Sequence, residues 1–232
     1  MNTKRLLNIM AVGAMTGILA SAATAGATAL NPGDILNSPP TTFDVLSGSP
    51  GTLVTSSVGT ITTSSFTANI REAVYNPGIA NTLDYYFQVV NSAGSSDAIG
   101  RVTDRSFGSF TTSVFLRTDN AGGGGSAGFT ASTIAPISID RDISGQTVGW
   151  NFLKGATADL GSGKTSEILV VRVNSPNFSA NGQFNAIDGA VGSTLSLAPQ
   201  TPTSNVPEPA SILLLGTGMA GIAFIARRRS AQ

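Results

Sequence analysis

No helical period of useful length runs between Leu30 and Pro199, and this constrains the fold more than any single motif does. The apolar residues alternate instead. Across residues 82–91 (TLDYYFQVVN), Leu83, Tyr85, Phe87 and Val89 fall on one face and Asp84, Tyr86 and Gln88 on the other. A period of two marks a half-buried strand, because successive side chains of a strand point to opposite faces. Residues 65–75 alternate likewise, with Phe66, Ala68, Ile70 and Glu72 sharing a face, and residues 147–153 place Val148, Trp150 and Phe152 together. Residues 167–174 (EILVVRVN) are apolar on both faces except for Arg172, which predicts a central strand covered on both sides. Further short strands are expected at 43–46, 52–63, 99–103, 111–117, 128–134, 137–141, 183–187 and 193–198. Between them lie turn clusters: Asn76-Pro77-Gly78, residues 91–97, the glycine run inside 119–126, and residues 155–165. Many short strands with this punctuation predict an all-β chain, a single antiparallel β-sandwich of jelly-roll-like or immunoglobulin-like kind. No fixed repeat supports a β-solenoid.

Residues 30–198 supply this sandwich, enough chain for one ordinary domain with a sizeable core. The sequence has neither cysteine nor histidine. Without cysteine the fold stands on packing alone. Without histidine, Ser-His and Cys-His nucleophile systems and zinc sites of the Cys/His kind are excluded. The domain carries eight basic and twelve acidic side chains, a net charge of about −4, which gives no electrostatic footprint for nucleic acid.

The two ends read differently. Lys4 and Arg5 precede a mostly apolar stretch over residues 6–19, followed by small residues at Ala23-Thr24-Ala25 and Ala27-Thr28-Ala29. This is the pattern of a secretory signal peptide over residues 1–29, with Ala25 and Ala29 as alternative cleavage points and the Sec translocon as the export partner. Residues 199–206 (PQTPTSNV) read as a Pro/Thr/Ser linker. Then come Pro207-Glu208-Pro209, an uncharged run over residues 210–226, and Arg227, Arg228 and Arg229. As a transmembrane helix the run spans about 25 Å, and snorkelling arginines bridge the remainder of a hydrocarbon core of about 30 Å. Three arginines directly after it read as a stop-transfer signal on the cytoplasmic side.

This three-part tail, residues 207–232, closely resembles the PEP-CTERM sorting signal of Gram-negative bacteria. The resemblance implies that an exosortase, a membrane-embedded enzyme similar to cysteine transpeptidases, recognises Pro207, Glu208 and Pro209 and processes the tail during export. It further implies that the helix occupies the inner membrane transiently and that the protein ends at the cell surface or in an extracellular, biofilm-type matrix. It says nothing about what the sandwich does. The plainer reading of the same residues is a permanent single-helix anchor, with Pro209 in the first helical turn and Glu208 favourably placed near the helix N-terminus.

Candidate chemistry in the domain is sparse. Asp140 and Asp142 are two residues apart, so on a strand they share a face, and the DRDISG stretch offers oxygen ligands for Ca²⁺. It lacks the spacing of a calcium loop, and a solvated strand end is the plainer reading. Asp97, Asp104 and Asp119 lie near predicted loops and are the other oxygen donors such a site would draw on. Glu72 and Glu167 are the domain's two glutamates and the only basis for a glycosidase-type carboxylate pair; surface pairing with a neighbouring arginine is the expectation for each. Gly163-Lys164-Thr165 resembles the end of a phosphate-binding loop, but Ala158 stands where the first glycine belongs, and a strand follows instead of a helix. Tyr75, Tyr85, Tyr86 and Trp150 are the aromatics available to stack on sugar rings. The expectation is therefore a non-enzymatic exported protein with no cofactor; the alternative is a module binding exopolysaccharide or Ca²⁺.

Overall fold

The alternation in the sequence becomes two facing antiparallel sheets. The computed structural model describes residues 28–37, 49–118, 127–152 and 159–201, and the strand expected at 43–46 lies outside them. One six-stranded sheet runs, in spatial order, β1 (Thr28–Ala29), β7 (Thr112–Arg117), β10 (Ile168–Val173), β5 (Leu83–Asn91), β4 (Thr67–Asn76) and β3 (Thr52–Thr62). The other runs β12 (Ala190–Gln200), β11 (Asn177–Asp188), β6 (Arg101–Arg105), β9 (Thr147–Asn151), β8 (Ser138–Arg141) and β2 (Ile35–Asn37). The two pack as a sandwich, and the described residues contain no α-helix.

The predicted inward faces meet between the sheets. Leu83, Tyr85, Phe87 and Val89 of β5 are buried there with Val148 and Trp150 of β9 and Phe152 just beyond it. The Phe87 ring lies 6.0 Å from Trp150 and 5.5 Å from Phe184 of β11, so one aromatic side chain of the first sheet touches two strands of the second. Offset aromatic pairs at this separation add about 0.5–1.5 kcal/mol beyond the area they bury. The strand at 167–174 is central as expected, with β7 on one side and β5 on the other. Its second face is covered as well: Ile168 and Val170 pack outside the sandwich with Tyr75, Tyr86, Phe115 and Phe129.

Residues 128–134, expected as a strand, form no ladder. They cross the outer face of the first sheet, with a single parallel bridge between Ile134 and Ser166. Gln88 takes the place of a ladder. Its Nε2 donates to the Thr130 carbonyl at 2.6 Å and to the Ser166 carbonyl at 3.0 Å, and its Oε1 accepts from the Thr130 amide at 3.0 Å. Phe129, inside the stretch expected as a strand, is instead the lid of the outer cluster.

The closing hairpin is longer than its apolar alternation suggests. β11 and β12 pair from Asn177↔Gln200 to Asp188↔Ala190, whereas β6 covers only Gln183 to Ile187. The uncovered half of β11 is polar for that reason. Pro199 and Gln200, assigned from sequence to the linker, belong to edge strand β12, where a proline is tolerated because one side of the ladder is open.

The chain's first described residues tie both sheets together. β1 pairs with β7, and β2 pairs with β8 of the opposite sheet, so residues 28–37 strap across one side of the sandwich. Arg141, buried at the end of β8, holds the strap. Its NH1 donates to the Leu30 carbonyl and the Thr112 hydroxyl, both at 3.0 Å; its NH2 donates to the Phe107 and Phe110 carbonyls, both at 2.8 Å; its Nε donates to the Gly145 carbonyl at 3.0 Å. Removing the guanidinium leaves the Phe110 and Gly145 carbonyls without a donor and takes one donor each from Leu30, which keeps the Thr112 hydroxyl at 2.8 Å, and Phe107, which keeps the Phe110 amide at 3.0 Å. Arg141→Leu should therefore lower the unfolding free energy by about 3 kcal/mol or more, read as a drop in the urea midpoint, and expose residues 28–37 to limited proteolysis.

Candidate functional site

The tail residues singled out by sequence, Pro207, Glu208, Pro209, Arg227, Arg228 and Arg229, lie outside the described residues, as do the expected helix over 210–226 and Ala25. Of the two cleavage points, Ala29 is described, and it stands in β1 opposite Ser113. Asp119 also lies outside.

Asp140 and Asp142 do not form a joint oxygen site. Asp140 projects from β8 beneath Arg101 of β6, whose NH1 and NH2 reach its two carboxylate oxygens at 2.5 and 2.7 Å. Asn151 Nδ2 adds a third bond to Asp140 at 2.9 Å. Partial burial works against the charge, but the Arg101 bonds outweigh it and hold the Asp140 carboxyl below its usual range. Asp142 has left the strand. It closes the following turn, accepting from the Thr147 amide at 3.1 Å and the Ser144 hydroxyl at 2.8 Å. Those donors hold its carboxyl low despite slight burial. Asp97 caps its own loop by accepting from the Ala98 amide at 2.9 Å. No group of three acidic side chains suited to a metal ion occurs among the described residues.

The aromatic pool for sugar stacking is used up by packing: Tyr75, Tyr85, Tyr86 and Trp150 are all buried. Lys164 sits in a tight turn, its amide donating to the Gly161 carbonyl at 3.0 Å, and the chain then bridges Thr165 to Val90 and enters β10.

The two glutamates depart from expectation. Neither is a surface residue. Glu167, just ahead of β10, is 7% exposed, and burial alone pushes its carboxyl up to about 7. Glu72 is 1% exposed, on the inward face that its period-two neighbours Ala68 and Ile70 define. Its Oε2 accepts from the Leu197 amide of β12 at 2.9 Å and from the Ser57 hydroxyl of β3 at 3.3 Å. Burial pushes this carboxyl up to about 7 as well, against the pull of those two bonds. Asp104, expected near a loop, is instead fully buried on the inward face of β6 and accepts from the Ser196 hydroxyl at 2.6 Å. Burial, with the negative charge of Glu72 added to it, pushes Asp104 well above the ordinary aspartate range. Glu72 Oε1 and Asp104 Oδ2 have no partner. The sequence carried one signal for this arrangement, the position of Glu72 in an otherwise apolar alternation.

A second polar group lies on the outer face of the first sheet. Asp84 of β5 receives Arg172 Nε and NH2 of β10, both at 2.7 Å, while Arg172 stacks 4.8 Å over the Phe115 ring. Burial pushes the Asp84 carboxyl up, and the Arg172 bonds offset that only in part. Arg117 of β7 donates to the Tyr86 hydroxyl at 3.2 Å. These side chains floor a recess of about 300 Å³ rimmed by Pro50, Pro77 and Ile79. Its floor is built of side chains paired with one another, Asp84 with Arg172 and Tyr86 with Arg117.

Residues 205–229 match the family model of the PEP-CTERM protein-sorting motif. No curated protein and no solved structure matches the chain. The chain thus carries a recognisable sorting motif at its C terminus, beyond the last strand at Gln200.

Two outcomes follow for the domain. Glu72 and Glu167 bind protons more tightly when folded than their ordinary value of 4.5 allows, so the native state holds extra protons between about pH 4.5 and 7. Stability contributed by these groups is complete below that window and is lost as pH rises through 7, so the melting temperature should be higher at pH 5 than at pH 8. Adding Ca²⁺ should leave the melting temperature unchanged at pH 5, because the Asp140 oxygens are already taken by Arg101.

Proposed function

We propose that this chain is a non-enzymatic surface or extracellular-matrix protein: a folded β-sandwich as cargo, behind a tail that directs its delivery. The premise is the PEP-CTERM motif over residues 205–229, which marks an exported protein sorted by exosortase to the cell envelope. Within it, Pro207-Glu208-Pro209 is the recognition element. Both prolines restrict the residues before them to extended backbone, so Glu208 is offered to an enzyme groove with little chain entropy left to lose. Residues 210–226 are the transient membrane helix, and Arg227, Arg228 and Arg229 fix its orientation. The Sec translocon and the exosortase are then the partners in sequence.

The match at the tail is the single observation that carries this reading. The domain is compatible with cargo. It has no cysteine, Tyr75, Tyr85, Tyr86 and Trp150 are buried, and Glu72, Glu167 and Asp140 are held in the interior or against arginine. At the other end, β1 favours one of the two signal-peptide cleavage points. A cut after Ala29 would remove Thr28 and Ala29, and with them the pairing to Val114 and Ser113; a cut after Ala25 spares both.

Intact mass and terminal peptide mapping of the protein from its own cells, in membrane and extracellular fractions, test both ends. The expected species begins at Gly26, ends near residues 207–209 and is found outside the inner membrane. A species that ends at Gln232 and stays in the inner membrane overturns the sorting reading in favour of a permanent anchor. Glu208→Ala should leave the melting temperature of the domain within experimental error and abolish delivery; normal delivery of that variant removes Glu208 from the recognition element.

A further inference from the structure

Among the described residues, two acids from facing sheets reach into the interior of the sandwich with no base beside them. Glu72 reaches in from β4 of the first sheet, and Asp104 from β6 of the second. Tyr85 of β5 is the other titratable group whose interaction reaches Asp104, and it is buried and neutral, its own ionisation pushed up. Among the described residues, no lysine or arginine acts on either carboxyl. Both acids hold the same short piece of β12: Ser196 donates to Asp104, and the next residue, Leu197, donates its amide to Glu72.

The register shows why β12 is free to make these bonds. A bulge interrupts the β11–β12 ladder between Ser179↔Ala198 and Gly182↔Ser196, so Leu197 has no pairing partner in β11. Its amide turns to the opposite sheet instead. Gly182 opens the route for Ser196. A Cβ there would lie 2.5 Å from Ser196 Oγ and 2.8 Å from the Ala198 side chain, so any larger residue would block the reach across β11 to Asp104. The result is an edge strand held across its weakest point by two carboxyl groups, each with one oxygen left over.

Two adjacent buried carboxylates cannot both carry charge without a counter-ion, since each loses its hydration and repels the other. Something must neutralise them. We propose that Glu72 and Asp104 form a proton-loaded latch on β12, closed while the pair retains its protons and loosened when Glu72 releases its own. This inference concerns the sandwich alone and stands whether or not the tail is processed as a sorting signal. Its consequence is local. β12 is the strand from which the tail departs, so the latch sets how firmly the last turn of the domain is held at a given external pH.

Global stability does not isolate the latch, because Glu167 titrates in the same range from a different place. Hydrogen exchange on the full chain does. After correction for intrinsic exchange, protection of peptides covering residues 195–200 should fall roughly tenfold between pH 6 and pH 8, relative to peptides of β9, because opening releases the Glu72 proton at a factor of ten per pH unit only up to about pH 7, where the closed form loses it too. Glu72→Gln, which keeps the acceptor for Leu197, should hold that protection flat across the range. Asp104→Asn, which leaves Glu72 to titrate from the same burial, should keep the fall, and Glu72→Met, flat at a lower level because the acceptor for Leu197 is gone, serves as the second variant if the first fails to fold. Wild-type protection that does not change with pH overturns the latch. So does a fall that persists in a folded Glu72→Gln or Glu72→Met variant. Recovery of β12 protection at pH 8 on adding Ca²⁺ would overturn the proton as occupant and make the pair a cation site.

Discussion

Everything in this sandwich depends on two sheets staying face to face without a covalent tie. Phe87 is the centre of that contact, reaching Trp150 and Phe184 on separate strands of the facing sheet. Dispersion and burial hold the middle, but an apolar core does nothing for the long sides, where backbone groups run out of ladder partners. Polar side chains do that work here. Arg141 fastens the strap of residues 28–37 on one side, and Glu72 with Asp104 fastens β12 on the other. The two solutions differ in kind. Arg141 is charged and meets neutral carbonyls that fully occupy it, whereas the acids meet too few donors and are left with spare oxygens.

The fold was legible where a strand has one face in the core or both faces covered. Residues 82–91, 147–153 and 167–174 carry their period, or their lack of one, because burial on each face is uniform along the strand. Legibility failed where an apolar residue belongs to no ladder. Phe129 looked like part of an alternating strand and is a lid held by Gln88. The N-terminal half of β11 failed in the opposite sense: its residues are polar because only one neighbour covers them, yet they are fully paired. Arg141 was invisible, standing between two aspartates that drew attention as oxygen ligands. Its partners are backbone carbonyls from three separate stretches, at Leu30, at Phe107 and Phe110, and at Gly145, and no local pattern can announce them.

The candidate sites divide in the same way. The tail was legible as a composite because its parts act in series along the chain, proline tripeptide, apolar run and arginines, with the order itself carrying the information. The acid pair was not, since Glu72 and Asp104 meet only once β4 and β6 are stacked from opposite sheets. Glu72 on an apolar face is the half of that pair visible in the sequence, where surface pairing with a neighbouring arginine is the expectation, against the cost of burying a charge. The structure resolves the conflict by burying it and raising its hold on a proton.

The strap of residues 28–37 has a kinetic consequence. A chain that crosses a membrane N-terminus first delivers Thr28 and Ile35 early, but their partners Val114 and Asp140 come roughly a hundred residues later, and Gln200 closes the second sheet against Asn177 only at the very end. Pairings this distant in sequence make folding slow, because the loop entropy is lost before the contacts return it. The domain cannot finish while it is being threaded. β12 ends only a few residues ahead of the motif, so on the proposed route the fold is completed only as the motif itself follows. The order of strands thus acts as a clock: the cargo stays unfolded, and therefore threadable, until the segment that decides its destination is in place.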